Sequence, residues 1–178
     1  MAEAFSNKLA RAVGVVTSST GGSIGITTNK ITGVSTAGVS VGDLVDTGSY
    51  LGGTKVSSIG VGIVTCDRNS TNTVAVSSQN VKFLAPHTLY TSTGLKTILI
   101  GGTFANNTNG QVGLTVEVTD TSASITVAVA SKIPVPAGSS FVISDTGKTL
   151  LESGDSIKIY CDTANAIDAN ISILTGVN

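Results

Sequence analysis

Ser40 stands in the most chemically suggestive setting in this chain. Gly38-Val39-Ser40-Val41-Gly42 matches the G-x-S-x-G pattern. That pattern activates a serine only where a strand turns sharply into a helix and a histidine and an acid converge on it. The sequence offers neither. Asp43-Leu44-Val45 leads into another glycine-punctuated strand pattern, and the single histidine, His87, falls in a stretch that reads as a linker. Gly147-Lys148-Thr149 has the close of a phosphate-binding loop, but Val142 stands where the opening glycine belongs and no helix pattern follows. An exposed hairpin lysine is the better account of Lys148. Asp67-Arg68-Asn69 begins like a calcium loop and lacks its glycine and closing glutamate. Asp155, Asp162 and Asp168 flank strand patterns, where carboxylates commonly cap turns. The expectation is no catalytic residue, no cofactor site and no metal site: a protein that is not an enzyme.

Composition narrows the partners. Charged residues are 12% of the 178, about half the usual share, and Ser, Thr, Gly and Asn fill the gap. The surface is therefore solvated through hydroxyls and amides. A net charge of −1 leaves no electrostatic footprint for nucleic acid or an anionic membrane, and aromatics at 4% leave few stacking platforms. No apolar run approaches the ~20 residues of a membrane span. Glu3, Lys8 and Arg11 interrupt any apolar core of a signal peptide, so the asparagines of the three glycosylation tripeptides, Asn69, Asn106 and Asn170, are expected to stay unmodified. Cys66 and Cys161 form no C-x-x-C pattern, and Cys161 lies on the inward parity of its strand as a small buried hydrophobe.

The elements behind these residues are strands. Val112, Leu114, Val116 and Val118 fall on one parity, and Ile125, Val127 and Val129 repeat the pattern. Ile157, Ile159 and Cys161, then Ala169, Ile171 and Ile173, do the same. Alternation at period two is the mark of a half-buried strand. Turn chemistry separates the runs at 106–110, 134–138, 145–147 and 153–155. Residues 15–81 form a second strand-rich region, with candidate strands at 14–17, 25–28, 44–47, 55–59, 62–66 and 73–77. The polar stretch 77–80, Pro86 and His87 mark the boundary. Met1 to Gly14 reads differently: Phe5, Leu9, Ala12 and Val13 recur at helical spacing. One short amphipathic helix is marginal alone, so it must pack on its own β domain, closing the fold, or on a sister subunit or a larger assembly. For the latter cases these four residues are the candidate partner-binding set.

The fold expected is all-β: two small antiparallel sandwich or barrel domains, 15–82 and 86–178, behind a short helical or extended N-terminal arm at 1–14. Two resemblances sharpen this. Gly38-Val39-Ser40-Val41-Gly42-Asp43-Leu44-Val45, Gly53-Thr54-Lys55-Val56-Ser57-Ser58-Ile59-Gly60 and Ile63-Val64-Thr65-Cys66 together resemble a small β module of tailed-phage structural proteins and some bacterial surface proteins. Leu51-Gly52 stands where that module usually has Ile-Pro. Residues 86–176 resemble a virion structural domain of tailed bacteriophages, common among phages of marine cyanobacteria. The matching residues are Ile133-Pro134-Val135-Pro136 with Gly138 and Ser139, then Leu150-Leu151-Glu152-Ser153-Gly154-Asp155-Ser156-Ile157, then Ala164-Asn165-Ala166 with Ser172-Ile173-Leu174. Thr91-Ser92-Thr93-Gly94 departs from it where relatives more often carry a proline.

The resemblance implies a β-sandwich subunit of a virion assembled in the host cytoplasm, without catalysis or cofactor. Its partners would be other virion proteins, the major capsid protein or neck and tail proteins, and copies of itself. A decoration or reinforcing protein on the capsid exterior is the leading expectation, with a neck, collar or tail-fibre component as the alternative. A glycan- or receptor-binding adhesin module is the reading from another class, with Tyr50, Tyr90 and Tyr160 as its contacts.

Overall fold

The protein, seen here in a computed structural model, is described for residues 3–94, 96–143 and 148–177. The described residues form strands and no helix. In chain order they are β1 (Ala4–Val13), β2 (Val15–Ile24), β3 (Lys30–Thr32), β4 (Leu44–Asp46), β5 (Val56–Gly60), β6 (Ile63–Cys66), β7 (Val76–Ala85) and β8 (His87–Thr91). There follow β9 (Lys96–Asn106), β10 (Val112–Asp120), β11 (Ile125–Val135), β12 (Ser140–Ile143), β13 (Thr149–Leu151), β14 (Ser156–Cys161) and β15 (Ile167–Val177). All pairings are antiparallel, as the alternation of the sequence requires. The expected turn at 145–147 lies outside the described residues.

Two compact units divide the chain, one of Met1–Gly14 with His87–Asn178 and one of Val15–Pro86. This corrects the serial plan of arm, domain, domain: the second unit is inserted into the first, between β1 and β8. Its first and last strands pair, with Val15 opposite Ala85, which brings the ends of the insertion together as an inserted domain needs. β7 also runs through the polar stretch 77–80 that reads as a boundary, absorbing it at an irregularity where Ser78 has φ 54°. His87 accordingly begins β8 rather than sitting in a linker, and pairs with Ile159.

The first unit is a sandwich. One sheet runs β1-β15-β9-β12, with β13 also on β9, and the other runs β11-β10-β14-β8. Between them lie the residues that the alternation marks as inward: Leu114, Val116, Ile157, Ile159, Cys161, Ala169, Ile171 and Ile173, joined by Leu99, Phe104 and Leu151. Asn106 fixes the turn between β9 and β10 from within. It is buried, and its amide Nδ2 lies 2.7, 2.9 and 3.1 Å from the carbonyls of Gly110, Val135 and Pro136. Its Oδ1 accepts from the Thr108 N–H and hydroxyl at 2.8 Å. An amide so occupied is structural, so its glycosylation tripeptide marks a buried side chain.

The inserted unit is a six-stranded sheet, β4-β7-β2-β3-β6-β5, whose ends meet. Leu44 bridges Lys55, and the Gly42 and Val45 N–H groups donate to the carbonyls of Val56 and Thr54 at 2.9 Å. The result is a small closed barrel with no long free edge. Its core holds Ile24, Ile31, Val64, Val81 and Phe83, with Tyr50 and Cys66 among them. Burial pushes the Cys66 thiol up to about 11. Cys66 and Cys161 lie in different units, each buried, and no disulfide joins them.

One polar group in the barrel core makes an opposing contribution. Asp43 is 2% exposed; its Oδ2 accepts the Ser40 N–H at 2.8 Å, while no protein donor reaches Oδ1. Desolvation raises its pKa above the ordinary 3.8, against the opposing Ser40 hydrogen bond. The folded state therefore binds this proton more readily than the unfolded chain, and the barrel gains stability as pH falls from neutrality through the raised value toward 3.8. Asp43→Asn keeps the acceptor for Ser40 and removes the buried charge. It is expected to stabilise the barrel at neutral pH by about 1 kcal/mol and to flatten that slope in chemical denaturation at two pH values.

Candidate docking surface

The N-terminal segment is a strand, not the helix its spacing suggests. Phe5, Leu9, Ala12 and Val13 satisfy a helical stripe locally, but β1 has a long partner in β15, from Ala4 opposite Thr175 to Val13 opposite Ile167. Tertiary pairing overrides the local periodicity. A bulge between Ala10 and Val13 inserts one residue, with Ala12 at φ 54°. Because side chains alternate, one extra residue exchanges the faces on either side of it. Val13 therefore points into the core at 4% exposure, while Phe5 and Leu9 turn outward at 78% and 74%. The inward positions fall to Ser6, Lys8 and Ala10, and the Lys8 ammonium sits 5.7 Å from the Tyr90 ring centre. The four residues marked at the N-terminus are thus divided: Phe5 and Leu9 face out, Ala12 forms the bulge, and Val13 belongs to the sandwich.

Asp168 holds the bulge. The Ala12 N–H donates to its Oδ1 at 2.7 Å. That hydrogen bond, then the Asn107 side chain and the Arg11 charge, hold the Asp168 carboxyl below its ordinary value. A depressed folded pKa contributes stability that is present above 3.8 and lost as pH falls through the folded value. Asp168→Ala is expected to cost under about 1 kcal/mol, discounted for solvent. It should also speed hydrogen exchange at the Ala12 amide, which a two-dimensional NMR series would read.

The outward side of this sheet carries two cross-strand rows. Phe5 is opposite Leu174, Leu174 opposite Ile98, and Ile98 opposite Leu150, so four apolar side chains line up across four strands. Leu150 is 47% exposed, and Leu174 and Ile98 are half-buried. Farther along the strands, Leu9, Asn170, Thr103 and Val142 form the second row, with Val142 56% exposed. Between the rows the Ser172 hydroxyl donates to Asn7 Oδ1 at 2.9 Å. An open depression beside Leu9 is lined by Arg11, Thr103, Ala105, Asp168 and Asn170.

Leu174, Ile98, Leu150 and Val142 escape a reading for alternation, yet the sequence carries a signal for most of them. Ile98-Leu99-Ile100, Leu150-Leu151 and Ile173-Leu174 are consecutive apolar residues. A strand apolar on both parities has two faces to cover, and here only one lies in the core.

The other candidates are placed as follows. Ser40 is exposed in a loop of turns, and no helix follows it. Gly147 lies outside the described residues, and Lys148 is exposed beside Thr149 at the start of β13. Asp67 Oδ1 accepts the Lys55 N–H at 2.9 Å. Asp155 accepts from the Thr121 and Glu152 N–H groups, and Asp162 from that of Gly113, all at 2.9 Å. These carboxylates clamp turns. Among the described residues, no three His, Cys, Asp or Glu side chains gather as a metal site. The tyrosines do not form a wet contact set: Tyr50 is 5% exposed with its hydroxyl donating to Thr28 O at 3.1 Å, Tyr160 is 2% exposed, and Tyr90 is half-buried. Among the described residues, no helix is long and apolar enough to cross a membrane.

The architecture is an all-β sandwich with an inserted barrel and an apolar row on an outer sheet face. No family model and no curated protein matches the chain. Among solved structures, the chain is similar to chains in structures of infectious bursal disease virus, the Gt and Gx strains. Each comparison has 12% identity and a TM-score of 0.32, over 96% and 97% of this chain. The chain spans 55% of the length of each of those chains.

Proposed function

We propose that this chain is a non-enzymatic structural component of a tailed-phage virion, a decoration or reinforcing protein on the head exterior. The observation that carries the proposal is the outward row of Phe5, Leu174, Ile98 and Leu150. A bulged edge strand turns its two large apolar residues toward water and lines them up with apolar neighbours. A row of this kind, set in a surface of hydroxyls and amides, is the mark of a protein interface. The clamping roles of the carboxylates and the burial of two of the three tyrosines favour packing over chemistry or glycan recognition. The resemblance of residues 86–176 to a virion domain supplies the setting.

Incorporation into the particle is assigned to burial of the outer sheet face against another subunit rather than to a detachable arm. Deleting residues 1–14 would remove a paired strand and the buried Val13, so it tests folding and attachment together. The cleaner test replaces exposed Phe5 and Leu9 with serine and quantifies the chain in purified particles by mass spectrometry. The expected result is a folded protein missing from the particles; undiminished incorporation would overturn the assignment of the face. A neck, collar or tail-fibre position is the second reading, and low copy number in the same measurement would favour it.

A further inference from the structure

We infer that the outer face of the β1-β15-β9 sheet is the self-association surface of this protein, and that its occupant is a second copy of the same chain. The inference deepens the reading above and rests on it only in taking the face as a protein interface. β1, β15 and β9, of 10, 11 and 11 residues, and the 4 and 3 residues of β12 and β13 beyond them tile the face at ~4.8 Å by ~3.3 Å per residue, a projected area of roughly 600 Å². Side-chain relief raises the accessible area above that projection, toward the ~800 Å² that each partner buries in a standard stable interface. The face carries no net field to repel a copy. Arg11 and Asp168 neighbour each other near one end, and Lys96 and Glu152 form a 3.7 Å ion pair near the other.

The registers supply the complementarity. Aligned sheet packing keeps the strands of two sheets within about 30° of each other. A two-fold axis along the strands, midway between β15 and β9, lays each row on its own copy in reverse order. Phe5 then meets Leu150 of the second copy, and Leu174 meets Ile98. In the other row Leu9 meets Val142. The most exposed apolar residues of β1 thus face the shorter aliphatics of the opposite edge, twice over. The three exposed residues of β11, Ile125, Val127 and Val129, which alternation alone would turn inward, offer no such row: Asp120 and the buried Val118 are the cross-strand neighbours of the first two, and a register shift falls at the third.

The test is sedimentation equilibrium of the full chain over a wide concentration range, with Phe5→Asp and Leu150→Lys as single variants. Both positions are exposed, and matching thermal melts would show that folding is retained. The wild type is expected to pass from one-chain to two-chain mass, with each variant weakening association about 30-fold. Mixing the two variants should restore a heterodimer, since one of its two Phe5–Leu150 contacts is native and the other pairs opposite charges. A wild type that stays monomeric overturns the inference, as do variants that dimerise like the wild type or a mixture that stays monomeric. A monomeric wild type whose Phe5→Asp variant is lost from particles would point instead to a different virion protein on this face. A dimer that is absent from particles would overturn the virion reading and leave this inference standing.

Discussion

Phe104→Ala is expected to destabilise the sandwich by about 3–5 kcal/mol. Phe104 lies on β9, has no exposed surface, and points into the space between the two sheets. Its ring faces that of Phe141 at 6.2 Å between centres and 30° between planes. Truncation removes the transfer free energy of the ring and the aromatic contact. It also leaves a cavity that little can fill, because β9 is paired on both sides, by β15 and by β12 and β13. Since a domain holds only about 5–15 kcal/mol in total, the loss should be visible as a lower midpoint in urea. Hydrogen exchange would show where it falls: protection should drop in β9, β10 and β15 and persist in the barrel strands, whose core is a separate cluster. A drop of under about 1 kcal/mol would mean that the two sheets do not pack as described.

Gly14→Ala is expected to cost at least about 3 kcal/mol and to loosen the end of β1. Gly14 has φ +133°, and an added Cβ would collide with the Thr163 backbone oxygen and crowd Asn165 N at 3.1 Å and Cys161 Cβ at 3.3 Å. Backbone, not a flexible side chain, is what must move. The same contact region holds β1 in place, with the Asn165 N–H donating to Gly14 O at 3.0 Å and the Ala166 N–H to Val13 O at 2.9 Å. Relieving the clash breaks both bonds, about 1 kcal/mol each, adds about 1–2 kcal/mol of left-handed strain and lifts Val13 from the core. Thermal melts would read the loss. Faster amide exchange across β1 than across β9 would separate release of the strand from global unfolding. A variant as stable as the wild type would contradict the packing of residue 14 against residues 161–165.

The sandwich strands were the legible part of this fold. Val112 to Val118, Ile157 to Cys161 and Ala169 to Ile173 each have one wet parity and one dry one, and alternation is a local property that survives without knowledge of partners. In the inserted region, candidates at 44–47, 55–59 and 62–66 match β4, β5 and β6, while 25–28 is a turn and β3 went unseen. Three residues, Lys30-Ile31-Thr32, with one apolar side chain among them, are too few to show a period. The N-terminal segment departs from its local pattern for a different reason. Phe5, Leu9 and Val13 share a helical face and would share a strand face too, so only the bulge, set by pairing with β15 at the far end of the chain, decides where each points. The insertion was hidden for the same reason: Ala4 opposite Thr175 is a contact that no window of sequence contains. Of the docking face, Phe5 and Leu9 were legible as apolar, and their exposure was not.

The most direct measurement of the central claim is a cryo-EM map of the purified particle, into which the sandwich and the barrel are placed as separate bodies. Density for this chain is expected to repeat over the head lattice, with Phe5, Leu174, Ile98 and Leu150 buried against another subunit. Density for the chain with that row open to solvent, or particles that lack the chain altogether, would contradict that claim.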